Sequence, residues 1–263
     1  MSRGLGDVYK RQIYGGFDES IHLSEVDYVV EGPHEPLPQF PVAEPTAEDR
    51  AIAELIVPHV RDGATVQLGI GGMPNVVGSL LAQSDLKDLA MHTEVCGDAY
   101  YLLHEAGKLT HARCRAHRNK GLAGIVFGSQ TLYDWVDQNP GVIGGPIDYI
   151  NAPSTMAGID NMVSINSCIS VDLYGQVTAE TAGLRQISGT GGQLEWVVGS
   201  QWSKGGKSIL ALRSSYRDKA GVLHSKIVPQ LAPGSVVTTP RTCVQYVAVS
   251  YTHLRAHETL ANL

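Results

Sequence analysis

The chain has 263 residues, 43% hydrophobic and 17% charged, enough apolar material to bury one substantial core or two small ones. A formal net charge of −6 leaves no basic stripe, which argues against a nucleic-acid partner. There is neither a run of about 18 apolar residues to span a membrane nor a charged-then-apolar leader, and Cys96, Cys114, Cys168 and Cys243 form no CxxC pair, so a reduced, cytoplasmic protein without structural zinc is expected.

In chain order, residues 1–12 and 250–263 read as translated sequencing-adapter sequence of the kind found in metagenomic assemblies, and are set aside from the fold. Residues 13–45, with Pro33, Pro36, Pro38, Pro41 and Pro45, read as an extended interdomain linker. Residues 46–249 are expected to form the folded domain. Thr46 with Asp49 three residues on, then Ile52, Leu55, Ile56 and Val60, and Gly63 beyond, mark a first amphipathic helix.

Strand-like and helix-like segments then alternate: Val66 to Leu68, Pro74 to Leu81, Leu89 to Val95, Ala99 to Ala106 with Asp98 as its cap, Gly124 to Phe127, Thr131 to Asp137, and Ile147 to Ile150 in the next strand position. Such alternation predicts βαβ units, a mainly parallel open sheet and helices on both faces. Farther on, strands are expected at Val163 to Ser167, Ser170 to Leu173, Ile209 to Leu212, Ile227 to Val228, Val236 to Thr239 and Val244 to Val249. The predicted class is therefore α/β with a β-rich extension.

Two places carry candidate chemistry. Gly69-Ile70-Gly71-Gly72-Met73-Pro74-Asn75 joins a strand to a helix, and its glycines let backbone N–H groups approach a ligand near a positive helix end. Pro74 stands where a dinucleotide fingerprint needs glycine, and no Gly-Lys-Ser/Thr follows, so nicotinamide and ATP readings lose ground. Glu94 sits at the carboxyl end of its strand, where open parallel sheets bind ligands. His92 shares that strand face, and a structural histidine is the plain reading of it. His111, Cys114 and His117 form a lone cluster short of the four ligands that structural zinc uses, so no metal site is expected.

These motifs, together with His92-Thr93-Glu94, Gly128-Ser129-Gln130, Val171-Asp172-Leu173-Tyr174-Gly175-Gln176-Val177 and Ser188-Gly189-Thr190-Gly191-Gly192-Gln193, occur in an order that resembles the C-terminal half of the acetyl-CoA hydrolase/transferase family, and within it the 4-hydroxybutyrate and butyryl-CoA:acetate CoA-transferases. The resemblance implies that Glu94 attacks an acyl-CoA thioester and passes through a glutamyl-CoA intermediate. It implies oxyanion or substrate contacts at Gly69, Gly71, Gly72, Met73 and Asn75, and a CoA-contacting loop at Gly189, Gly191, Gly192 and Gln193. CoA and acyl-CoA are then substrates rather than a resident cofactor, and the second partner is a short carboxylic acid. It also implies a missing N-terminal domain and is compatible with a homo-oligomer. Thioester hydrolysis within the same family, or an inactive CoA-binding fragment, are the alternatives. Lys204, Lys207 and Arg213 are the nearby cations available to a polyanionic ligand.

Overall fold

The computed structural model describes residues 13–17, 21–33, 35–39 and 44–241, and the backbone of 245–249. The two terminal segments read as adapter sequence, and Pro41 and Cys243, lie outside the described residues.

Fifteen strands and seven α-helices are described: β1 (Tyr14–Gly15), α1 (Ala47–Ile56), β2 (Thr65–Leu68), α2 (Gly72–Gln83), β3 (Ala90–Cys96), α3 (Asp98–Glu105), β4 (Gly121–Val126), α4 (Gln130–Val136), β5 (Val142–Gly144), α5 (Ile147–Ile150), α6 (Pro153–Ala157), β6 (Met162–Ser167), β7 (Ser170–Asp172), β8 (Val177–Thr178), β9 (Thr181–Ala182), β10 (Arg185–Gln186), α7 (Gln193–Trp202), β11 (Lys207–Arg213), β12 (Ser215–Arg217), β13 (Leu223–Ser225), β14 (Ile227–Val228) and β15 (Gln245–Val249). Eight strands form one sheet in the order β1-β5-β4-β3-β2-β6-β11-β15, every pair parallel. The short strands β7 to β10 and β12 to β14 make three small sheets beside it, the predicted β-rich extension.

Alternate residues of each strand enter different cores, as a two-residue period requires. Met91, Ala123, Val142, Ile165 and Ile209 pack with Ile52 of α1, Val77 of α2, Leu103 of α3 and Leu132 of α4. Their neighbours Ala90, Leu122, Ile143 and Met162 pack instead with Ile150 of α5, Met156 of α6 and Trp196 of α7. Helices thus cover both faces, with α1 to α4 on one and α5 to α7 on the other. A strand buried on both sides reads as a near-continuous apolar run, which is why β2 and β11 are legible in the sequence.

Three local expectations change. Ile147–Ile150 forms the short helix α5, entered from Pro146 at φ −68, and the strand beside β4 is Val142–Gly144. Val236 to Thr239 makes a single bridge, Thr239 to Val177, because Pro240 ends the run at once. Asp98 occupies the first position of α3, with Gly97 as the cap, and its carboxylate accepts from the Ser129 amide at 3.2 Å and from the Ser129 hydroxyl. The first helix is as predicted: the Thr46 hydroxyl accepts from the Asp49 amide at 3.3 Å, and Asp49 accepts in return from the Thr46 amide.

The sheet order reverses at β2. From β2 the chain winds outward through β3, β4 and β5, and from β6 it winds the other way through β11 and β15. Crossovers of one hand running in opposite directions lie on opposite faces, so the loops leaving β2 and β6 diverge and open a crevice at their carboxyl ends.

Candidate active site

Gln67 and Asn166 meet across that divide. They lie on neighbouring strands and exchange two side-chain amide hydrogen bonds, Gln67 Nε2 to Asn166 Oδ1 at 3.0 Å and Asn166 Nδ2 to Gln67 Oε1 at 2.9 Å. On the other side of β2 the ladder to β3 holds only at Thr65 and Val66. Beyond them the Tyr100 hydroxyl, reaching from α3, takes the place of the partner strand: it accepts from the Leu68 amide at 2.8 Å and donates to the Val66 carbonyl at 3.3 Å. The backbone polar groups stay paired while the strands separate.

A cavity of about 270 Å³ occupies this opening. Gly69, Glu94, Gly189, Gly191, Gly192 and Gln193 line it, so the glutamate and all four second-glycine-loop residues singled out in the sequence come together. Asn166 and Ser167 also line it, as do Gln67, Glu180, Trp196 and Thr238. Gly71, Gly72, Met73 and Asn75 do not. Gly71, at φ 111, caps α2 in a conformation open only to glycine, and Met73 is buried in the core. Gly72 and Asn75 face a separate cavity of about 430 Å³, with Arg50, Ser79, Asp98 and Ser129. The Gly69 amide is committed to the sheet, donating to the Ile165 carbonyl at 2.9 Å.

Glu94 is half-buried on β3, and its Oε2 accepts from Asn151 Nδ2 at 2.7 Å. Asn151 follows directly on α5, 57 residues along the chain, and no local pattern in the sequence marks it. Gly192, the residue before α7, packs on the same carboxylate: a Cβ there would overlap Glu94 Oε2 and lie 2.5 Å from Asn151 Nδ2. Only glycine leaves the carboxylate and amide their places. A second carboxylate, Glu180, lines the same cavity, almost fully buried, with the Thr190 hydroxyl donating to it at 3.2 Å and holding the glycine loop to the wall.

His92 lies beneath Glu94 on the same face of β3 and is fully buried. Its Nε2 lies 3.0 Å from the Ile150 carbonyl, to which it donates, and its ring stacks on His117 at 5.8 Å and meets the edge of Trp196 at 5.6 Å. Burial drives the imidazole down to about 4, with nearby His117 lowering it further and the bond to Ile150 opposing the drop, so at neutral pH the ring carries no charge.

The cations considered for a polyanionic ligand lie elsewhere. Arg213 pairs with Asp49 of α1 at 2.8 Å, and Lys207 donates to the His59 carbonyl at 3.0 Å. Burial opposes the Asp49 charge, yet Arg213 and the Thr46 groups hold its carboxyl below the ordinary range. Lys204 is exposed. Among the described residues no cluster of three or more His, Cys, Asp or Glu is arranged to hold a metal ion. His111 Nδ1 accepts from the Met91 amide at 3.2 Å, and His117 sits between His92 and Tyr149. No helix among the described residues is long and apolar enough to cross a membrane.

Residues 128–257 match the family model of the acetyl-CoA hydrolase/transferase C-terminal domain. The butyryl-CoA:acetate CoA-transferase of Anaerostipes caccae is 45% identical over 238 residues, covering 90% of this chain and 53% of that protein. The 4-hydroxybutyrate coenzyme A transferase of Clostridium kluyveri is 42% identical over 264 residues, covering 100% of this chain and 57% of that protein. Among solved structures, RipA from Yersinia pestis superposes with a TM-score of 0.80 at 36% identity, over 90% of this chain and 52% of that one. The 4-hydroxybutyrate CoA-transferase of Porphyromonas gingivalis superposes with a TM-score of 0.74 at 33% identity, over 91% and 55%. Acetyl-CoA hydrolases are more distant, at 26% identity over 141 residues for that of Candida albicans. The chain spans about half the length of the curated relatives it matches. With that order of motifs, that sheet and these relatives, the chain belongs to the acetyl-CoA hydrolase/transferase family.

Proposed function

We propose that this chain carries the nucleophile of a CoA-transferase, Glu94, and that the enzyme moves CoA between a short-chain acyl-CoA and a carboxylic acid of the butyrate, 4-hydroxybutyrate or acetate class. The observation that carries this reading is the Glu94 carboxylate at the crevice of the sheet, held by Asn151 and backed by Gly192, where a side chain would have to displace it.

A carboxylate oxygen of Glu94 attacks the thioester carbonyl, the C–S bond breaks, and CoA thiolate leaves a mixed anhydride. The thiolate then attacks the glutamyl carbonyl, the anhydride C–O bond breaks, and the first acid departs as its carboxylate. The resulting glutamyl-CoA thioester is attacked by the acceptor carboxylate, and the same two exchanges run in reverse leave the acceptor as its CoA ester and Glu94 free. Each tetrahedral step gathers negative charge on a carbonyl oxygen. A fixed donor there lowers the barrier by about 3 kcal/mol. Asn151 Nδ2 is one such donor when the glutamyl oxygen carries the charge, and the glycine loop Gly189 to Gly192, which lines the same cavity, is the proposed source of further backbone N–H groups. Gly69, Gly71, Gly72, Met73 and Asn75 remain candidates for substrate contact, and of these Gly69 lines the same cavity as the reacting carboxylate.

The relatives are about twice as long, and we assign the remaining wall of the site to the half that this chain does not span. Glu94 would then meet solvent in this chain alone, and water would intercept the anhydride. Cys96, Cys114 and Cys168 are buried and none of them is in a disulfide, which supports a reducing, cytoplasmic setting.

The test is borohydride trapping. Acetyl-CoA or butyryl-CoA is mixed with the protein, borohydride reduces any glutamyl thioester to the alcohol, and peptide mass spectrometry reads position 94. It is run on this chain and on a fusion behind the N-terminal half of the Anaerostipes caccae relative. Reduction at Glu94 in the fusion, absent in Glu94→Ala and turned over by added acetate, is expected. Acyl-CoA loss that never labels Glu94 and ignores the acceptor would replace transfer with hydrolysis.

A further inference from the structure

His92 is connected to Glu94 by more than two positions along a strand. Its Nε2 donates to the carbonyl of Ile150, the last residue of α5, at 3.0 Å. That carbonyl belongs to the peptide unit whose N–H is that of Asn151, and the Asn151 N–H donates to the Ile147 carbonyl at 2.8 Å. One planar unit is therefore held at both its oxygen and its nitrogen. Fixing that plane fixes the Asn151 Cα, from which Nδ2 reaches back to Glu94 Oε2 at 2.7 Å. The contacts run from β3 to the end of α5 and return to β3 two residues later.

We infer that His92 is a positioning residue for Glu94, acting through the Ile150 carbonyl and the Asn151 side chain. The inference rests on the reading of Glu94 as nucleophile. The bond to a carbonyl requires the proton on Nε2, so Nδ1 is bare; it is buried and has no hydrogen-bond partner in the structure. The ring is clamped by His117 on its face and Trp196 at its edge, and His117 is held in turn by the Tyr149 hydroxyl at 3.2 Å. His117 is the titratable neighbour whose charge bears on the ring. A histidine that only satisfied a helix-end carbonyl would support α5 without controlling where the Asn151 amide points.

The experiment is nuclear magnetic resonance on this chain, wild type, His92→Phe and His92→Gln, with the Asn151 side-chain amide assigned by its loss in Asn151→Ala. In wild type that amide is expected to be shifted and slow to exchange, and the His92 ring protonated at Nε2. In His92→Phe the amide moves to the position of a solvated asparagine while the backbone signals of β6 and β11 stay. His92→Gln, whose amide can donate to Ile150, restores it. Trapping at Glu94 in the fusion follows the same order, falling about tenfold or more in the Phe variant and recovering in the Gln variant. An unchanged Asn151 signal in His92→Phe, or a wild-type ring protonated at Nδ1, overturns the inference. Should the Phe variant not fold, the wild-type tautomer and the Gln variant decide it. Absence of Glu94 trapping in the wild-type fusion, with the Asn151 signal still following His92, would remove the transferase reading and leave the positioning contact standing.

Discussion

Gly192 lies so close to Glu94 that the space for its Cβ is already taken by the carboxylate and by Asn151 Nδ2. Its φ of −83 and ψ of 8 are open to alanine, so Gly192→Ala is a steric change at the site rather than a backbone one. Displacing the carboxylate by about 1 Å is expected to lower borohydride trapping at Glu94 roughly a hundredfold. Gly191→Ala meets nothing within 4 Å, so any loss there reports the approach of the proposed CoA substrate and should appear in the half-saturating acyl-CoA concentration instead.

Asn151→Ala removes the donor to Glu94 Oε2. A hydrogen bond to a charged group contributes about 2 kcal/mol, so trapping should fall by roughly tenfold or more. Asn151→Asp sets a second carboxylate at the same distance. Two such groups cannot both ionise freely, and one pKa rises. The variant's trapping should therefore climb with pH relative to the wild type; a pH profile parallel to the wild type would disprove the contact.

Tyr100→Phe deletes the hydroxyl that serves both Leu68 N–H and Val66 C=O in a fully buried place. Leaving those groups unpaired costs about 1–3 kcal/mol. Urea unfolding should show that loss, with an unchanged slope.

Acid should destabilise the protein through its buried histidines. Burial drives His92 and His111 down to about 4, with His117 adding to the first and His104 to the second. In the unfolded chain each takes a proton near 6.5, so the unfolded state binds more protons between about 6.5 and 4, and stability falls as pH falls through that window. Below the folded value the penalty is complete, at about 3 kcal/mol for each ring. The difference between wild type and His111→Gln in urea unfolding at pH 7 and pH 4.5 isolates one share. An equal pH dependence in both would contradict a neutral His111.

The sheet was legible because its signals are local. Thr65 to Leu68, the glycines and the apolar spacing of Val76, Val77, Leu80 and Leu81 announce strand, turn and helix within one window. Ile147 to Ile150 was not, since four residues reading Ile-Asp-Tyr-Ile are too few to show a period and suit a short strand and a short helix equally. Val142–Gly144, itself ending in glycine and hemmed by Gly141 and Gly145, was too short to register. Glu94 could be proposed from its strand end and from the resemblance. Asn151 could not: its contact spans 57 residues and exists only because α5 ends over β3. The first glycine run also reads as one motif along the chain, yet the start of α2 turns Gly72 and Asn75 to a different cavity from Gly69.

The Tyr100 hydroxyl keeps β2 satisfied after it has left β3, so the gap between those strands does not depend on anything filling it. A ligand arriving there breaks no ladder and reorders no strand. Its affinity is spared the cost of opening the fold, and discrimination among ligands is left to the loops at the rim rather than to the sheet.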